Sequence, residues 1–101
     1  MEFEARHSPK LLEVRMTGRL EFTDHDSLPD IVALLDRPGL EQFMLDLSDL
    51  AFIDSAGLGM LLILQEEAEQ RNAKLVVRGP RDDVRRSLDL ARIGDILTIE
   101  Y

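Results

Sequence analysis

Hydrophobic and polar positions alternate with a period of two over Leu11–Thr17: Leu12, Val14 and Met16 face one way, Glu13, Arg15 and Thr17 the other. This is strand periodicity, and Gly18 punctuates its end. Phe3 to His7 is expected to pair with it across a turn near Ser8-Pro9-Lys10. Helical spacing follows in Leu28, Ile31, Val32, Leu34 and Leu35. Asp26 or Ser27 can cap that helix, Pro29 is tolerated in its first turn, and Pro38-Gly39 stops it. Phe43 to Leu47 reads as a short apolar strand interrupted only by Asp46. Ser48 to Ala51 then reads as a connecting turn, and Phe52-Ile53 as a second short apolar pair leading into Asp54-Ser55.

Ala56 to Gln70 has the length and apolar content of a helix. Lys74 to Val77 is the next strand, closed by Gly79-Pro80. A third helix runs from about Arg81 to Leu90 with Val84, Leu88 and Leu90 apolar, and Ile96 to Ile99 offers a last strand. Strand and helix alternate from residue 40 onward, which predicts a βαβ crossover and a partly parallel sheet that the N-terminal pair makes mixed. The expected architecture is one α/β domain over residues 1–101, with about five strands packed against three to four helices.

Composition narrows the chemistry. With 101 residues and no cysteine, the chain holds one core and no disulfide scaffold, thiol catalysis or cysteine-based zinc site. Twelve basic against twenty acidic residues give a net charge of −8, which disfavours a phosphate backbone as the direct partner. The excess is uneven: residues 1–70 carry five basic and fifteen acidic side chains, residues 71–101 seven and five. No apolar run approaches the ~18 residues of a membrane span. Met1-Glu2-Phe3-Glu4 lacks the layout of a signal peptide. A cytoplasmic protein without membrane insertion is expected.

The most informative stretch is Leu45-Asp46-Leu47-Ser48-Asp49-Leu50-Ala51-Phe52-Ile53-Asp54-Ser55-Ala56-Gly57-Leu58-Gly59. Ser55 sits where a helix begins, and two readings stand. In one, its hydroxyl caps the helix by accepting a backbone N–H two or three residues on. In the other, it is a modification site. Leu58 occupies the place where a capping box would carry Glu or Gln. Gly57 and Gly59 each cost about 1 kcal/mol in helix propensity, and close approach of another backbone is the usual reason for such a glycine. Residues 56–64 are apolar or glycine on every side, as in a helix that is buried or presents itself to a partner. A phosphoryl group on Ser55 would lie at a helix N-terminus, which favours anions.

Asp54-Ser55-Ala56-Gly57-Leu58-Gly59 after an apolar strand resembles the signature of STAS domains, the anti-sigma factor antagonists of bacteria. Leu12-Glu13-Val14-Arg15-Met16-Thr17-Gly18-Arg19-Leu20-Glu21 resembles the family's second strand and following turn, and Val84-Arg85-Arg86-Ser87-Leu88-Asp89-Leu90 its last major helix. The resemblance implies a phosphoacceptor at Ser55 with Asp54 shaping its site. It implies partner contacts at Glu21, Thr23 and Asp24, and at Asp54, Ala56, Gly57, Leu58, Gly59 and Met60. The unphosphorylated chain would bind an anti-sigma factor that is also a serine kinase, freeing a sigma factor, and a phosphatase of the PP2C type would reset it. No cofactor, no metal and no catalysis by the domain itself are implied, and the chain would be a monomer or weak dimer. The sequence departs from the family pattern in three places: Glu21 stands where Asp is usual, Ala56 where Ser or Thr is common, and Ala91-Arg92-Ile93 where Thr-Gly-Leu is usual.

Rival readings come from other classes. A STAS subunit regulating a membrane transporter would use the same helix start without phosphorylation. A nucleotide-binding enzyme is disfavoured, since Gly57-Leu58-Gly59 lacks the third glycine of a dinucleotide fingerprint and no P-loop lysine follows. A phospho-aspartate receiver lacks its late lysine, because Gly79-Pro80-Arg81 follows the strand. Ser55 lacks a nucleophile elbow, and His7 and His25 have no partner at metal-ligand spacing. His25, between Asp24 and Asp26, is expected in solvent. Arg78, Arg81, Arg85 and Arg86 form a basic patch that helix salt bridges with Asp82, Asp83 and Asp89 would neutralise.

Overall fold

The computed structural model describes residues 1–101. Strands β1 (Glu2–His7) and β2 (Leu11–Leu20) form an antiparallel hairpin. Helix α1 (Leu28–Leu34) leads to β3 (Gln42–Ile53), α2 (Ser55–Gln70) to β4 (Lys74–Arg78), and α3 (Asp82–Leu90) to β5 (Thr98–Glu100). The sheet has five strands in the order β1-β2-β3-β4-β5, with β2 to β5 mutually parallel. Each crossover steps one strand in the same direction, so the right-handed rule puts all three helices on one face of the sheet.

Burial agrees with that one-sided arrangement. Register aligns Val14 with Leu45 and Leu45 with Val77, and all three are fully buried beneath the helices. On the opposite face lie Glu4, Glu13, Arg15, Asp46 and Arg78. The exceptions are Met44 and Val76, cross-strand neighbours at 7% and 3% exposure that sit outside the main core cluster. They make a small apolar island on that face, flanked across the strands by Glu13 and Thr98.

Several boundaries differ from the sequence expectation. Ser48–Ala51 is not a turn: β3 runs unbroken for 12 residues through Ile53. It loses β4 after Asp46↔Arg78 but keeps β2 as far as Leu20↔Ile53, and irregularities at Arg15/Thr17 and Gly18/Arg19 absorb the mismatch. The Ser48 N–H donates to Asp46 Oδ1 at 2.9 Å beside the first of these. Phe22–Ser27 is a 3-10 segment running directly into α1. The Leu28 N–H is therefore already bonded to the His25 carbonyl, and Ser27, at the cap position, makes no side-chain cap bond. Leu90 is 74% exposed, since the α3 stripe is Val84 and Leu88 alone. A second 3-10 turn, Ile93–Asp95, carries the chain onward, so β5 begins at Thr98. Arg92, where the resembled family carries glycine, takes the left-handed conformation itself (φ 56°).

The two glycines of α2 separate by environment. A Cβ on Gly57 would lie 2.6 Å from the Leu20 carbonyl oxygen and 2.7 Å from Ile53 Cγ1. Close packing of α2 on the ends of β2 and β3 therefore requires glycine there. A Cβ on Gly59 would meet nothing within 4 Å. Gly57→Ala is expected to lower the unfolding free energy, by about 1–2 kcal/mol, because overpacking against a fixed carbonyl outweighs the helix gain. Gly59→Ala is expected to raise it by up to about 1 kcal/mol. Urea denaturation of both variants tests the pair, and equal shifts would contradict it.

Candidate functional site

The carboxyl ends of β2 and β3 and the N-terminus of α2 meet at Asp54. Its backbone is extended (φ −98°, ψ −177°), as an N-cap requires, and its Oδ1 accepts the Gly57 N–H at 2.8 Å. Its Oδ2 accepts the Phe22 N–H at 3.2 Å, and its own N–H donates to the Leu20 carbonyl at 3.2 Å. One side chain thus closes the helix start and holds the 3-10 segment against it. Ser55 is consequently not the cap. It is the first residue of α2 and exposed. The cap falls one residue earlier because Asp54 has the extended backbone and the reach, which leaves the serine hydroxyl free at the surface.

The second wall is the start of the 3-10 segment. Asp24 Oδ2 accepts the Glu21 N–H at 2.8 Å, and Asp24 Oδ1 pairs with the Met1 ammonium at 2.9 Å. Burial pushes the Asp24 carboxyl up, but the hydrogen bonds from the ammonium and from Glu21, with the ammonium's charge, outweigh it and hold the group below the usual range. Glu21 Oε1 pairs with Arg19 Nε at 2.7 Å, and the Arg19 guanidinium lies 4.1 Å from the centroid of the Phe52 ring.

Of the residues the resemblance implicated, Ser55 and Thr23 are exposed, and Ala56, Leu58 and Gly59 are partly so. Gly57 and Met60 turn inward, because the face of α2 that carries them packs on the sheet. Asp24 and Asp54 are engaged in bonds that shape the backbone. Phe22 is the feature that sequence reasoning did not single out. It is 71% exposed, and its N–H is bonded to Asp54 beside Ser55. Its sequence signals were an aromatic just after a strand end and its place in the loop Phe22 to His25, which the family resemblance sets beside the partner surface.

Elsewhere, no group of three or more His, Asp or Glu side chains converges as metal ligands would. His25 is exposed. In the basic patch only Arg85–Asp89 forms the expected helix pair, at 3.9 Å, while Arg81 Nε donates to the Ser48 carbonyl. Asp89 also accepts the Tyr101 hydroxyl at 2.8 Å; that bond, burial and the carboxylate's charge raise the phenol's pKa against the opposing charge of Arg85.

The family model described as "Mlab, STAS domain" matches residues 3–98. The chain belongs to the STAS domain family. It is 29% identical over 91 residues to a STAS-domain containing protein of Pseudomonas aeruginosa, covering 87% of this chain and 86% of the relative. It is 28% identical over 100 residues to the anti-sigma F factor antagonist of Paenibacillus polymyxa, covering 98% and 86%. Among solved structures, an anti-sigma factor antagonist from Mycobacterium paratuberculosis superposes with a TM-score of 0.83 at 16% identity, covering 98% of this chain and 84% of that one. The Bacillus cell fate determinant SpoIIAA in its phosphorylated form superposes with a TM-score of 0.68 at 18% identity, covering 99% and 92%. Both structures share the STAS fold.

Two outcomes follow from the geometry. Asp54→Ala removes the cap and the Phe22 bond together and is expected to destabilise the domain by about 1–2 kcal/mol in chemical denaturation, with Asp54→Asn milder. The depressed Asp24 carboxyl contributes stability that is present above the ordinary carboxylate value of about 3.9 and is lost as pH falls through its lower native value. Asp24→Asn should therefore lower stability at neutral pH and flatten the acid limb of a stability–pH profile; an unchanged limb would contradict the assignment.

Proposed function

We propose that this chain is a phosphorylation-switched antagonist of an anti-sigma factor. Unphosphorylated at Ser55, it binds an anti-sigma factor that is also a serine kinase and so frees a sigma factor. The observation that carries this reading is that Asp54 caps α2, leaving the Ser55 hydroxyl exposed at a helix start with no structural duty. The named antagonist of Paenibacillus polymyxa and the phosphorylated form of SpoIIAA support it by likeness.

The surface suits docking. Phe22 and Leu58 offer apolar area beside Ser55, and Gly59 keeps the adjoining helix surface low enough for a partner to approach closely. The kinase supplies the catalysis: the Ser55 oxygen attacks the γ-phosphorus of ATP, the bond to the β-phosphate oxygen breaks, ADP leaves, and the hydroxyl proton passes to a kinase base. The product adds about −1.5 to −2 charge next to the Asp54 carboxylate. At a desolvated contact an unpaired charge costs about 2–5 kcal/mol, and each 1.4 kcal/mol is tenfold, so partner affinity falls by roughly 30-fold to a few thousand-fold. A PP2C-type phosphatase restores the binding form. Glu21, Thr23 and Asp24 line the flank of the same surface.

The test incubates the protein with ATP and each anti-sigma-factor kinase of its source genome, followed by phosphosite mass spectrometry and binding titrations. Phosphate on Ser55, its absence from Ser55→Ala, and binding weakened ~100-fold in Ser55→Asp are expected. Label on another residue, or undiminished labelling of Ser55→Ala, overturns the reading. Binding that ignores both ATP and Ser55→Asp would favour a regulatory subunit of a transporter instead.

A further inference from the structure

The free edge of β1 carries a self-complementary charge pattern. Ser8 and Leu11 exchange both backbone hydrogen bonds, at 2.9 and 3.3 Å, and close the β1–β2 hairpin as a hydrogen-bonded pair. Such pairs alternate along an antiparallel ladder, so Arg6, Glu4 and Glu2 turn their backbone groups toward β2. Phe3, Ala5 and His7 turn theirs outward, and β1 is the edge strand of the sheet.

We infer that this edge pairs antiparallel with the β1 edge of a second copy, centred on Ala5. Charge selects the register. A two-fold axis through Glu4 would set two glutamates face to face, and one through Arg6 would oppose two arginines. An axis through Ala5 instead sets Glu4 of each copy opposite Arg6 of the other, at the closer, non-hydrogen-bonded positions. The outward N–H and C=O groups of Phe3, Ala5 and His7 then meet their counterparts. Backbone parity permits all three axes, and side-chain charge selects the one through Ala5.

The sheet's open face extends the pattern. Register in one copy places Arg15 beside Glu4 and Glu13 beside Arg6. Across the new seam, charges would therefore run Arg15, Glu4, then Arg6 and Glu13 of the second copy, alternating in sign. Arg15 is engaged with Asp49, and neither Glu4 nor Arg6 has an ion-pair partner within its own chain. The opposite edge, β5, is only three residues long, which favours a closed two-fold contact over a head-to-tail array. One strand per copy is less than the roughly 1,200 Å² of a stable interface, so association is weak and concentration-dependent. It is independent of Ser55 and its modification.

Sedimentation equilibrium of the full chain in low salt, from about 10 µM to about 1 mM, reads the association directly. The average mass should climb from 11.5 kDa toward twice that value. Glu4→Lys and Arg6→Glu should each weaken association by about tenfold or more, and an equimolar mixture of the two should recover it, since each then meets opposite charges. Ala5→Pro removes an outward N–H without touching the β2 ladder and should leave a folded monomer by circular dichroism. A wild-type mass that stays monomeric throughout, charge reversals without effect, or a folded mixture that fails to recover association would each overturn the inference.

Discussion

Asp54 ties the start of α2 to the end of β2 and the 3-10 segment just after it, more than 30 residues earlier in the chain. One oxygen ends the unsatisfied run of N–H groups at the start of α2, the other reaches the backbone at Phe22, and the main chain of the same residue is bonded to Leu20. The strand end, the 3-10 segment and the helix start are thereby held as one surface. Gly57 completes the constraint, because a methyl group there would meet the Leu20 carbonyl and push the helix away from the strand ends. The exposure of Ser55 is a consequence of this arrangement: once the neighbouring aspartate has taken the cap, the serine hydroxyl has nothing to hold.

The one-sided sheet divides the protein's work. Helices cover the face on which Val14, Leu45 and Val77 stack, and nearly all the apolar core is there. The other face is left to charged side chains in alternating rows, with Met44 and Val76 as its small buried island. The carboxyl ends of the strands, where the Asp54 junction lies, and the β1 edge are therefore separate surfaces with different chemistry. The first offers apolar area beside the Ser55 hydroxyl; the second is a row of charges without ion-pair partners and unspent backbone groups. A net charge of −8 disfavours nucleic acid as a direct partner of either.

Much of the fold was legible because its period-two strands and period-3.6 helices bury one face each. Leu12, Val14 and Met16 are buried as their alternation required, and the hairpin, the βαβ order and the mixed sheet follow from that patterning. Where legibility failed, a long-range partner decided the matter. Ser48-Asp49 carries turn-forming residues, yet β2 holds it in a strand. Leu90 is as apolar as Leu88, but the direction in which α3 packs leaves it in water. Phe22 gave no periodic signal, since its exposure depends on the bond its backbone makes to a residue 32 positions away.

Local periodicity and the Asp54–Gly59 motif, both written in neighbouring residues, specify the class of fold, the family and the serine beside a helix start. Which side chain caps that helix, and hence whether Ser55 is occupied or free, is visible in the folded chain alone. The folded chain alone also separates Gly57, pressed against a carbonyl, from Gly59, open to solvent. The physical reason is common to these cases. The close approach at Gly57 and the placement of Phe22 are each defined by what lies opposite, and there the end of β2 is brought against residues more than 30 positions later.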